Sequence, residues 1–327
     1  MTVRRILFAC VLALACGLAF GQTRVTVGYL HTLAVDGHLW TAEMNDIFAK
    51  HDIVIEPVPF NSGIPLSQAL SGGSIDVAIM GAVISNFPSR GVGKVFLVNN
   101  IEAGTAMLFA QPDSGIESVA DVVGRDISTT RGTTAHVFLV TALQAEGFDA
   151  EAAEVVNMDM AAAVSAFIGG AVPAVATWWP FNAQIMAQVP EARLVATAGD
   201  YYPDAAIMGG WVANTAFYDA NRDVLVRIAK AWLEANDLLE NDTEASLVRL
   251  QEEQYPNLDV EDLLSGFDLL QTFDNDAWFE LYQDGSVEQW IGQVQQVFVD
   301  IGALETFVEP STFFDASIFL EAYESTR

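Results

Sequence analysis

Between positions 127 and 136 the chain reads Ile-Ser-Thr-Thr-Arg-Gly-Thr-Thr-Ala-His, and this stretch holds the residue types best suited to binding chemistry. Ile127 to Thr129 has the character of a strand end, and Val137 to Leu143 that of a buried helix. A helix starting at such a turn directs unpaired N–H groups and the positive end of its dipole outward, which suits a small anion. Gly132, Thr133 and Thr134 would supply the amides, and Arg131 a two-pronged guanidinium for a sulfonate or carboxylate. Two plainer readings stand beside this one: Thr133 or Thr134 as an N-cap, and Arg131 as a surface ion pair. His136, inside the helix, suits capping or packing better than ligand contact.

A second group is Trp178-Trp179-Pro180, after the apolar run Ala174–Thr177. Neighbouring residues at a strand end point opposite ways, so one indole should face a cleft as an aromatic wall while the other packs. Ser62 and Gly63 can lend a hydroxyl and an amide, and Gly81-Ala82 lets the backbone approach a ligand closely. His31, His38 and His51 lack a metal-ligand spacing, so neither metal nor cofactor is expected. No Ser-His-Asp order, paired-carboxylate pattern or phosphate loop is evident, so catalysis is not expected.

The formal net charge is −29. The acidic residues are spread, which reads as a solvated acidic surface that repels nucleic acid and anionic membranes. An anion site here must therefore work through local dipoles and a few placed donors. At the N-terminus, Arg4 and Arg5 precede an apolar run from Ile6 to Phe20 that ends in Ala19-Phe20-Gly21. Residues 1–21 thus read as a signal peptide, with export to the periplasm. Cys10 and Cys16 both lie in that segment, so the mature chain would lack disulfides, thiol nucleophiles and thiolate metal sites. Leu14-Ala15-Cys16-Gly17 partly resembles a lipoprotein processing site, which leaves lipid attachment at Cys16 as the alternative.

The elements that must position these groups follow an α/β rhythm. Arg24–Leu30, Ile53–Pro57 and Ile75–Met80 read as strands separated by helices near His38–Lys50 and Pro65–Leu70. Val95–Val98 and Ala106–Ala110 follow as strands. A second unit repeats the pattern: strand Asp126–Thr129, helix Ala135–Glu146, strand Ala153–Asn157, helix Ala161–Phe167 and strand Ala174–Thr177. Ile207–Asn214 reads as a strand returning to the first unit, with Trp211 packing at the hinge and Trp40 in the lobe core. Helices follow at Arg222–Asn236, Thr243–Tyr255, Val260–Leu270 and Val287–Val299. The expected class is α/β: residues 22–105 and 207–327 form one lobe, 106–206 form a second lobe inserted into it, and the C-terminal region is helical. Two crossings suit hinge closure, and ligands of open α/β sheets sit at the strands' carboxyl ends.

Several segments together resemble the periplasmic substrate-binding proteins of ABC importers for taurine, alkanesulfonates, nitrate and thiamine-precursor pyrimidines. They are Val27-Gly28-Tyr29, Phe60–Gly63, Leu70–Ala78, Arg131–His136, Val156–Ala163 and Ala176–Pro180, in that order over roughly residues 24–215. The Gly-Thr-x-Ala-His form of the turn is most similar to the taurine branch. The resemblance implies a type II two-lobed binding fold, each lobe a mostly parallel sheet flanked by helices. It further implies a monomer that captures a small, anionic or zwitterionic solute and hands it to a membrane permease. The family's ligand groups would fall on Tyr29 and His31, on Asn61, Ser62 and Gly63, on Gly81 and Ala82, on Arg131 to Thr134, and on Trp178 and Trp179. Members often carry an acidic residue where this chain has Trp179. A ligand amine would then need another counter-charge, for which Asp159, Asp204 and Asp36 are the candidates; otherwise the ligand lacks an amine, or an aromatic wall holds its cationic group. A ligand-sensing module or an enzyme on the same fold ranks lower. The exported protein is expected to begin near Gln22; its intact mass checks this, and a lipid-bearing start at Cys16 would overturn it.

Overall fold

The computed structural model describes residues 22–327, so the expected signal segment lies outside the described residues. Ten strands form two sheets of five. The first holds β1 (Thr23–Leu30), β2 (Ile53–Phe60), β3 (Val77–Met80), β4 (Gly93–Ile101) and β10 (Met208–Asn214), in the order β2-β1-β3-β10-β4. The second holds β5 (Ala106–Ala110), β6 (Asp126–Thr129), β7 (Glu154–Asn157), β8 (Ala174–Trp178) and β9 (Arg193–Thr197), in the order β7-β6-β8-β5-β9.

Helices α1 (Leu33–Met44), α2 (Ile47–Lys50) and α3 (Gly63–Ser71) accompany the first sheet, and α4 (Thr134–Ala145), α5 (Met160–Ile168) and α6 (Phe181–Gln188) the second. Seven more follow: α7 (Thr215–Ala220), α8 (Arg222–Asn241), α9 (Thr243–Glu253), α10 (Val260–Asp268), α11 (Asn275–Gln283), α12 (Ser286–Asp300) and α13 (Ala316–Glu324). The expected helix at His38–Lys50 begins earlier, at Leu33, and breaks at Asp46, whose φ of 54° no regular helix accommodates.

Strand direction decides where a ligand can sit. β1 runs parallel to β2 and β3, while β10 runs antiparallel to both β3 and β4. Four of the five strands therefore point one way and β10 alone is reversed. The second sheet repeats this, with β5 the reversed strand between β8 and β9. Both reversed strands follow a crossing, Glu102–Thr105 into β5 and Ala198–Ile207 into β10. The chain thus changes sheets where the other strands end, and the crossings touch: the Glu102 N–H donates to the Ile207 carbonyl at 2.7 Å.

Apolar strands buried on both faces fill each core; β4, β5, β8 and β10 have almost no exposed side chain. Trp211 is fully buried in β10 between Ile79 and Leu97, so it belongs to the core of the first sheet and not to a hinge. The cause is polar: Asn99 Oδ1 accepts from Trp211 Nε1 at 2.7 Å and from Trp232 Nε1 at 3.0 Å, while its Nδ2 donates to the Val35 carbonyl at 2.9 Å. One buried amide thereby joins β4, β10, α8 and α1. Replacing Asn99 by Leu strands two indole N–H groups away from water. It should cost about 2–4 kcal/mol of stability, read as a lowered midpoint in urea unfolding.

Candidate functional site

The expected site residues occupy the carboxyl ends of strands in both sheets. Tyr29 ends β1 and is buried edge-on against Trp40. Asn61 is exposed after β2, and Ser62 stands at the N-cap of α3 without making a side-chain cap bond. Gly63 faces Val83, so this loop abuts the Gly81–Val83 turn after β3. Asp159 is an exposed N-cap of α5, again without a side-chain cap bond.

At the anion turn, Thr133 takes the N-cap position of α4, but its hydroxyl donates to the Thr130 carbonyl at 2.7 Å and caps nothing. The amides of Thr134, Ala135 and His136 in the first turn accordingly have no protein acceptor among the described residues. His136 turns back on the loop before the helix: its Nδ1 accepts from the Gly132 N–H at 3.1 Å, and burial beside the Arg131 charge lowers its pKa to about 4. Arg131 is exposed; its guanidinium donates to the Val155 carbonyl at 3.3 Å and its amide to Asn157 Oδ1 at 2.9 Å. The guanidinium thus lies on the edge strand β7.

The two sheets meet at this turn. Thr134 Oγ1 accepts from the Ala82 N–H at 3.2 Å, joining the start of α4 to the loop after β3. Gly81 is required there, since a Cβ at this position would fall 2.5 Å from Thr134 Oγ1 and 3.1 Å from Glu102 Oε1. Glu102, on the first crossing, is 5% exposed, and its Oε1 has no hydrogen-bond partner among the described residues. Sequence reasoning passed over this residue; the one available signal was a lone acid directly after the apolar strand Val95–Ile101.

The two tryptophans differ in burial. Trp178 is half-buried with Phe181 on its edge, and Trp179 is buried against α10, where a Cβ at Gly266 would lie 2.6 Å from the indole. The Trp179 N–H also donates to the Thr105 carbonyl of the crossing at 3.0 Å. This loop of the second sheet is therefore held against the C-terminal helices of the first.

Asp36 is completely buried and accepts from His31 Nδ1 at 2.6 Å, Trp40 Nε1 at 2.9 Å and the Tyr255 hydroxyl. Three of its roughly four acceptor positions are taken by the chain's own donors, so it is largely committed within the protein. His31 stacks on Tyr255, and its Nε2 meets the Gln254 carbonyl at 3.1 Å. Both ring nitrogens are thus engaged, and the bond to Asp36 holds the His31 pKa above its ordinary value while burial holds the Asp36 carboxyl above its own. Asp204 is exposed and lines a separate cavity of about 410 Å³ with Thr141, Tyr201, Tyr202 and Gln293, between α4, the second crossing and α12.

Two reversed strands at paired crossings, with loops of both sheets converging, define the periplasmic-binding-protein fold. The sulphonate-binding protein SsuA of Escherichia coli superposes with a TM-score of 0.71 over 89% of this chain and 91% of its own, at 19% identity. Desulfurization enzyme DSZB shares the fold as well, with a TM-score of 0.65 at 14% identity over 93% of this chain and all of its own. Residues 19–249 match the NMT1-like family, and the chain belongs to it. A protein of Brucella abortus (strain 2308) named as a binding protein is 25% identical over 298 residues, covering 90% of this chain and 91% of that one. A Brachyspira hyodysenteriae protein named as an ABC transporter periplasmic binding protein is 26% identical over 243 residues, 68% and 64% of the two chains. Among the described residues no helix is long and apolar enough to cross a membrane.

Burial pushes the Glu102 carboxyl up to about 7 from 4.5, and the Thr105 and Thr134 hydroxyls beside it, outside hydrogen-bond geometry to Oε1, offset only part of this. The folded chain thus keeps a proton there that the unfolded chain has lost, so this group makes stability fall as pH rises from about 4.5 to about 7. Glu102→Gln should flatten that fall and leave the variant the more stable above pH 7, by an amount on the order of 3 kcal/mol. Melting curves of both proteins across pH 4–8 check this as a difference.

Proposed function

We propose that this chain is the solute-binding component of an ABC importer. Residues 22–105 with 207–327, and residues 106–206, would act as two lobes that close on a small solute in the periplasm and present it to a permease. The observation that carries this reading is the meeting of Thr134 with Gly81, Ala82 and Glu102: amides, a hydroxyl and a carboxyl from two sheets converge beside an uncapped helix end. The sulphonate and ABC-importer names of the similar proteins support it, and favour a small organic anion such as taurine or another sulfonate.

The amides of Thr134, Ala135 and His136 would hold the anionic group, with Ser62, Asn61 and Trp178 at the rim and Trp179 closing the aromatic side. An enzymatic reading would draw on the His31–Asp36 pair. Both His31 nitrogens are already engaged within the chain, one with Asp36 and one with the Gln254 carbonyl, so neither is free to act as a general base.

A ligand that binds only the folded protein at a hundred times its dissociation constant adds about 2.7 kcal/mol, a rise of several degrees in melting temperature. A thermal-shift screen of sulfonates, carboxylates, nitrate, pyrimidines and betaines should find such a ligand. Gly81→Val, whose side chain would press on Thr134, should then weaken its binding at least tenfold while the circular dichroism stays native. A flat screen, or a Gly81→Val variant that binds as tightly as the parent, would overturn the proposal.

A further inference from the structure

We infer that Glu102 is the specificity-determining residue of this site, selecting solutes that carry a protonated amine or similar cationic donor a few bonds from their anionic group. The inference rests on the binding reading above and adds the second pole of the ligand. Three observations carry it.

The carboxyl is buried and one of its oxygens is unmatched. Glu102 is 5% exposed, and Oε1 has no hydrogen-bond partner among the described residues. None of the ion pairs formed among those residues includes it. A carboxylate in that position is strongly unfavourable unless a positive or donating group joins it.

Its position is also that of a ligand group. Thr134, the first residue of α4, sits between the Glu102 carboxyl and the Ala82 amide, and the Gly81 Cα closes the space beside both. The free amides of α4 belong to Thr134 and the two residues after it. A donor at Glu102 and an anion at the helix end would therefore be neighbours, as the two charges of a small zwitterion are.

The chain's own nearby cations are committed elsewhere. The Arg131 guanidinium is on the Val155 carbonyl, and His136 Nδ1 is an acceptor. His31 is held between Asp36 and Gln254. Of the acids considered as a counter-charge, Asp36 is already engaged by three donors of the chain and Asp159 and Asp204 are exposed, which leaves Glu102 as the buried acid with an unpartnered oxygen.

Matched pairs of probes test this by calorimetry on the mature protein: 2-aminoethanesulfonate against 2-hydroxyethanesulfonate, and 3-aminopropanoate against 3-hydroxypropanoate. Each pair keeps the anion and exchanges the cationic donor for a hydroxyl. In at least one pair the parent should prefer the amine at least tenfold. Glu102→Gln should bring that ratio close to one, while Glu102→Asp, which keeps the charge, should retain part of it. A parent without preference, or a Glu102→Gln variant that keeps it, overturns the inference and leaves the anion site standing. If the parent binds none of the four, the anion reading fails and this inference with it. Native circular dichroism of both variants separates lost selectivity from lost fold.

Discussion

One contact organises the functional half of this molecule: the Thr134 hydroxyl, at the first turn of α4, receives the Ala82 amide from the other sheet beside the buried carboxyl of Glu102. It exists because each sheet reverses a single strand, and that strand is the one arriving from a crossing. The remaining strands of both sheets then end toward the same space. The loop after β2 abuts the turn after β3, and that turn meets the start of α4 after β6.

Electrostatics sharpen the same region. A chain of net charge −29 repels small anions at a distance, so the proposed anion site would have to attract at contact range through oriented groups. The free amides at the start of α4 are such groups, and their availability follows from the Thr133 hydroxyl turning to the Thr130 carbonyl. Glu102 is the counterweight, an acid kept from water at the point where the chain changes sheets.

Mechanical coupling uses packing rather than charge. The Trp179 indole packs against α10 at Gly266, and its backbone amide is bonded to the Thr105 carbonyl of the crossing. The Gly104 amide donates to the Leu269 carbonyl, and the Gln271 amide to that of Ile101. The C-terminal helices therefore grip the first crossing, so a change in the angle between the sheets must be felt in the segment from α10 to Gln271.

Local pattern alone determined much of this protein. The alternation of Val25 and Val27, the apolar run Val77–Met80 and the strand–turn–helix at Ile127–Leu143 are short-range signals. They placed the α/β order, the two crossings and the loop holding Gly132 to Thr134. β9 escaped because only Ala196 is buried, Leu194 being half-exposed, and its residues carry no alternation. Tertiary structure decided the partners. Asp36 and Tyr255 stand 219 residues apart and meet only because α9 ends beside the β1–α1 loop. Trp211 became core because Asn99, on a neighbouring strand, offered its indole an acceptor. Glu102 became a buried acid beside an uncapped helix because two distant segments closed over it; burial belongs to the assembled chain, and no spacing along the sequence encodes it.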